Sequence, residues 1–118
     1  MKTESQYTSD VLGHLRTLEP LWVVTKINDR TTAGIPDAFV CNARGTTWIE
    51  FKRSNAFTPN VEMLLTPAQK RTLSKMHTLG AAYHVLVRTP ATWKVYNVHG
   101  FVMDLTPSSK ETAAWLCQ

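Results

Sequence analysis

Cysteine is scarce in this chain: Cys41 and Cys117 are the only two among 118 residues, and neither belongs to a CxxC or Cys/His cluster. That argues against a disulfide-stapled scaffold and a structural zinc site, and both thiols are expected to be reduced. Long apolar runs are also missing. Leu21 to Val24 and Ala81 to Val87, the latter broken by His84, fall far short of the roughly 20 residues that a membrane span needs, so no membrane partner is expected. The opening Met1-Lys2-Thr3-Glu4-Ser5-Gln6 has no apolar core of the signal-peptide kind, which makes a cytoplasmic location the expectation. No repeat, low-complexity tract or Gly/Ser-rich linker divides the chain, and residues 1–118 are read as one domain. Walker, GxSxG and dinucleotide fingerprints are missing, and His14, His77, His84 and His99 have no metal-ligand spacing. Acids are few: nine Asp and Glu face thirteen Lys and Arg, giving a net charge of +4 and a balance compatible with a polyanionic partner.

The residues that are present predict an alternation of helices and strands. Thr3 with Gln6 forms a capping-box pattern, followed by Tyr7, Val11, Leu15 and Leu18 at helical spacing up to Pro20. Leu21 to Ile27 is β-branched and aromatic and predicts a strand. After the turn-forming residues Asn28 to Pro36, Asp37 to Asn42 and Thr46 to Arg53 predict a hairpin around Ala43-Arg44-Gly45. Thr66-Pro67-Ala68-Gln69 opens a second helix carrying Leu73, Met76 and Leu79 inward and ending at Gly80. Ala81 to Arg88 and Trp93 to Val98 predict two further strands, and Ser108 to Cys117 a short terminal helix. This order predicts an α/β domain with a mixed sheet flanked by helices. The four tryptophans and Cys41 are expected to be packing residues.

Chemistry concentrates in Gly34-Ile35-Pro36-Asp37 and Trp48-Ile49-Glu50-Phe51-Lys52. On a strand, Glu50 and Lys52 project to one side and Phe51 to the other. The hairpin brings Asp37 beside them. Two neighbouring carboxylates repel and call for a counter-charge, which a hard cation such as Mg²⁺ supplies through oxygen ligands, with the Phe51 backbone carbonyl as an additional ligand. Lys52 would then position or deprotonate a water or stabilise charge on a phosphate. The alternative is a solvated strand face with a weak Glu50–Lys52 pair and Asp37 capping a turn.

Asp37, Glu50 and Lys52 reproduce the signature of the PD-(D/E)xK nucleases, and the fuller pattern GIPD, WIEFK and LTPAQ resembles the VRR-NUC branch of that superfamily over about Glu4 to Arg88. The segment from Thr89 onward is not diagnostic. The resemblance implies a restriction-endonuclease-like αβββαβ core and a Mg²⁺- or Mn²⁺-dependent endodeoxyribonuclease of phage or bacterial type. By the same resemblance Asp37 and Glu50 are metal ligands, and Lys52 assists attack of water on the phosphodiester to leave a 5′-phosphate. Stand-alone domains of this branch resemble Holliday-junction resolvases, which implies branched DNA as the structure-selective substrate and a homodimer to cut two strands.

Four further groups of residues have two readings each. Glu4 is expected on the inward stripe of the first helix, with a metal-directed role that the resemblance favours and a helix-dipole role as its alternative. Gln69 either closes the capping box with Thr66 or serves the active site by orienting water or touching phosphate, and one residue is not expected to do both fully. Arg53, Lys70, Arg71 and Lys75 are candidate phosphate contacts or else solvated cations, and Arg30 in the loop before GIPD is a weaker candidate of the same kind. At the level of function, the alternative to an enzyme is a catalytically silent nucleic-acid-binding module of a replication or repair complex. A sequence-specific restriction-type nuclease is a further alternative, disfavoured because the chain has little room for a recognition domain.

Overall fold

Two capping boxes fix where the main helices begin. In the computed structural model, which describes residues 2–28, 31–55 and 63–118, helix α1 runs over Glu4–Leu18 and helix α2 over Pro67–Thr78. The Thr3 hydroxyl accepts from the Gln6 N–H at 3.2 Å, and the Gln6 side chain accepts from the Thr3 N–H at 2.8 Å. Thr66 and Gln69 repeat the arrangement at α2, with Pro67 in the first turn, where no intrahelical donor is needed.

Six strands, β1 (Val23–Lys26), β2 (Ala38–Asn42), β3 (Gly45–Arg53), β4 (Ala82–Arg88), β5 (Trp93–Asn97) and β6 (Gly100–Asp104), form one sheet in sequential order. All neighbours are antiparallel except β3 and β4, whose parallel pairing is crossed by α2. A third helix, α3 (Ser109–Leu116), closes the chain. The expected helix, three strands, helix, strand order and the mixed sheet are therefore present. Among the described residues no helix is long and apolar enough to cross a membrane.

The pleat divides the sheet into two packed faces. On one, Ala38, Val40, Ile49, Phe51, Leu86 and Val95 pack with Tyr7, Val11, Leu12 and Leu15 of α1 and Ala113 of α3. Trp93 is fully buried there between the edges of Tyr7 and Phe51, with ring centroids 5.7 and 6.0 Å away. On the other face, Leu65 and Leu73 cover Tyr83, Val85, Val87 and Tyr96, with Trp48 and Met76 at the margin.

Three local expectations need correction. The first strand is shorter than expected, because Leu21 and Trp22 belong to the turn after Pro20 and Leu21 is almost fully exposed. Leu79 is exposed beyond the end of α2 rather than packed inward. Strand β6 was not expected: it returns along β5 from the Asn97↔Gly100 rung, and Phe101, Val102 and Met103 are exposed, so no period-2 pattern marks it in sequence.

Candidate active site

The site begins one position beyond the last rung of the β2–β3 ladder. Ala38 pairs with Ile49, so the next positions in register are Asp37 and Glu50. The Asp37 carbonyl accepts from the Ile27 N–H at 2.7 Å, which fixes its backbone to β1, and its carboxylate accepts from the Phe51 N–H at 2.8 Å. That N–H points toward β2, and the Phe51 carbonyl points the same way. The residue next in register there is Pro36, which has no N–H to offer, so β2 supplies that carbonyl with no ladder donor. Gly34 lets this loop approach α2. Its φ is 84°, and a Cβ at that position would lie 2.5 Å from the Ala68 carbonyl oxygen, so only glycine fits without displacement.

Glu50 lies in the floor of the site with 2% of its surface exposed. Oε1 accepts from the Gln69 amide at 3.1 Å and lies 3.9 Å from the Lys52 ammonium. Oε2 is buried and has no hydrogen-bond partner among the described residues. Burial, reinforced by the nearby Asp37 carboxylate, pushes the Glu50 carboxyl up to about 9, and Lys52 offsets only part of this. Beside Asp37 the buried Glu50 carboxyl therefore keeps its proton at neutral pH, and ionising it calls for added positive charge.

Gln69 fills the capping-box role and also makes a bond to a site acid that neither expected reading named. Its carbonyl oxygen closes the α2 capping box on the Thr66 N–H at 2.9 Å, while its amide nitrogen reaches Glu50. An amide has separate donor and acceptor ends, so the two bonds do not compete.

Glu4 departs from its expected place on the buried stripe. It is exposed in the first turn of α1, and its carboxylate accepts from the Arg53 N–H at 3.1 Å, tying α1 to the end of β3. Its charge still acts on Glu50. Among the described residues no three His, Cys, Asp or Glu side chains form a group that could hold a metal ion, so Asp37, Glu50 and Glu4 do not close into a three-carboxylate set. Arg53 faces the α1 side and donates to the Lys2 carbonyl at 3.4 Å, away from Lys52. Lys70 follows Gln69 on α2 and is half-buried; Arg71 and Lys75 are exposed on the same helix. Arg30 lies outside the described residues.

One neighbour escaped the sequence reading. Tyr83 of β4 stands beside Trp48 and two residues before Val85, the register partner of Glu50. Its buried hydroxyl has no partner among the described residues, and burial together with the charges of Glu50 and Asp37 raises its pKa. Only the parallel β3–β4 register, which the sequence does not state, identifies it.

No family model matches this chain, and no curated protein matches it. A solved structure does: Archaeoglobus fulgidus Hjc, a Holliday junction resolvase from an archaeal hyperthermophile, is similar over 95% of this chain and 92% of that one, with a TM-score of 0.60 and 19% identity. At that identity the likeness shows the fold, which is restriction-endonuclease-like as expected.

Proposed function

We propose that this chain is a divalent-metal-dependent endodeoxyribonuclease of the PD-(D/E)xK type, in its VRR-NUC branch, with branched DNA as its preferred substrate. The observation that carries the reading is Glu50: a buried carboxyl beside Asp37, with one oxygen unpartnered and the other shared between Gln69 and Lys52. Asp37, Glu50 and the Phe51 carbonyl would hold Mg²⁺ or Mn²⁺. Two carboxylates and a carbonyl suit Mg²⁺, which keeps several of its own waters and takes few protein ligands. Glu4 would act as an outer acid at the edge of the site. The cation, when bound, supplies Lewis-acid stabilisation of charge at phosphorus and lowers the pKa of a nearby water.

The chain's own residues do the rest. Lys52, on the same face as Glu50, offers its ammonium to the phosphate or to the attacking water. Gln69 holds the Glu50 carboxyl in one orientation by a bond that α2 pre-organises. Lys70, Arg71 and Lys75 on α2, with Arg30 nearby in sequence to the Asp37 segment, would supply phosphate contacts that position DNA without reading its sequence. The fold likeness to a Holliday junction resolvase favours a junction substrate. Cutting two strands of a junction symmetrically requires a two-fold homodimer.

Supercoiled plasmid and four-way-junction DNA incubated with Mg²⁺, Mn²⁺ or EDTA test the reading. Wild type should cut with either metal and not with EDTA, and Lys52→Ala should lose about 100-fold or more of the rate, the scale of a missing proton-handling or charge-stabilising group. Binding without cutting in any metal would replace the enzyme by a silent nucleic-acid-binding module.

A further inference from the structure

A second basic cavity lies outside the proposed cleavage centre. Between α1 and the start of α3 opens a cleft of about 510 Å³ whose walls include Lys2, Tyr7, Asp10, Arg88, Ser109 and Lys110. The Arg88 guanidinium sits 5.2 Å from the centre of the Tyr7 ring and donates to the carbonyls of Thr89 and Pro107. Its Nε is buried without a hydrogen-bond partner among the described residues. Asp10, the acid of the cleft, is bound by Lys2 at 2.6 Å. Among the described residues no carboxylate lies within ion-pair distance of Arg88 or Lys110. The Ser108 hydroxyl caps α3 by accepting from the Glu111 N–H, and the first-turn residues Ser109 and Lys110 face the cleft at the positive end of the helix. Positive charge therefore exceeds negative in a cavity of a size that admits a phosphate and its ester groups.

Its place in the fold matters as much as its charge. Arg53 and Arg88 are register partners across β3 and β4, and the Arg53 guanidinium reaches the Lys2 carbonyl at 3.4 Å. Lys52 and Arg53 project to opposite faces from the same strand end. The cleft thus lies at the same end of the sheet as Lys52, on the α1 side.

We propose that this cleft is a second phosphate seat, which takes a backbone phosphodiester of the nucleic-acid strand where it passes from the cleavage centre across the sheet end to the α1 side. The proposal rests on the nuclease reading of the Asp37–Glu50 site. It gives residues 107–110, beyond the segment that carries the sequence resemblance, a part in holding the substrate.

Binding of a fluorescent four-way junction to the full chain in EDTA, at several salt concentrations, tests it with wild type and Lys110→Glu. The variant should bind about tenfold more weakly, and the slope of log Kd against log salt should fall by about one. Unchanged affinity and slope would overturn the second seat, while metal-dependent cutting by wild type would leave the nuclease reading in place. A wild type that neither binds nor cuts would remove both. Charge reversal could disturb α3, so the amide NMR signals of Ser109 and Lys110 are followed in wild type as DNA is added. They should move at DNA concentrations where an equal concentration of inorganic phosphate leaves them unmoved. Equal movement with phosphate, or none with DNA, would overturn the proposal.

Discussion

β3 gives Ile49 and Phe51 to one face of the sheet and Trp48, Glu50 and Lys52 to the other, and the two faces are stabilised on different terms. Toward α1 and α3 the strand meets a nearly all-apolar layer in which Phe51, Leu12, Leu15 and Trp93 are fully buried. Toward α2 the same strand buries a carboxyl among aliphatic and aromatic neighbours and leaves one of its oxygens unpaired. The apolar face stabilises the fold through area removed from water. The α2 face sacrifices stability to keep a poorly solvated acid beside Asp37, and in the proposed reading a cation recovers that loss. Alternation along a single strand places the strain one residue from the firmest part of the core.

Four substitutions separate these contributions. The largest effect should come from Phe51→Ala, which empties a fully buried aromatic site and should cost about 3–5 kcal/mol in denaturant unfolding. A loss under 1 kcal/mol would mean that the α1 face is not the stabilising one. Gly34→Ala should cost about 2 kcal/mol, because its φ of 84° and the Ala68 carbonyl both oppose a side chain. It should also depress cleavage, since the displaced loop carries Asp37.

Glu50→Gln tests the strained face through pH. With its carboxyl raised from 4.5 to about 9, the folded chain holds a proton that the unfolded chain has released across that window. Folding then takes up a proton, so wild-type stability is full below 4.5 and declines as pH rises toward 9, by at most about 1.4 kcal/mol per pH unit from this group. Glu50→Gln should flatten that decline in metal-free thermal melts while abolishing cleavage. Parallel pH profiles for the two proteins would show that Glu50 is not strained. Thr66→Ala should have the smallest effect, about 1 kcal/mol for a lost N-cap. Its cleavage rate should stay near that of wild type, because the lost hydroxyl accepts from the Gln69 backbone N–H whereas the Thr66 N–H that holds the Gln69 side chain remains. A loss of about tenfold in rate would show that the hydroxyl, through the start of α2, positions that side chain.

Much of this architecture is legible in the sequence. Both capping boxes are local patterns within four residues, and both helices start where those patterns place them. The Asp37, Glu50 and Lys52 grouping follows from strand alternation and a short hairpin. Strand β6 was hidden because its apolar residues face outward on a sheet edge, where pairing with β5 and not periodicity defines it. The position of Glu4 was misread because helical spacing gives a face but not the point at which the neighbouring strand ends. The bond from Gln69 to Glu50 is hidden in the sequence because it depends on how α2 docks against β3.

Sequence by itself determined the order of elements apart from β6, and the strand that carries the acidic and basic groups, because capping, turn chemistry and side-chain alternation act over a few residues. Tertiary structure alone decided that Glu50 is buried against Tyr83 and α2, that Gln69 reaches it, and that Lys2, Arg88 and Lys110 share one cleft. Those outcomes depend on the β3–β4 register and on the way α1 and α3 pack, which are fixed by contacts between residues far apart in the chain.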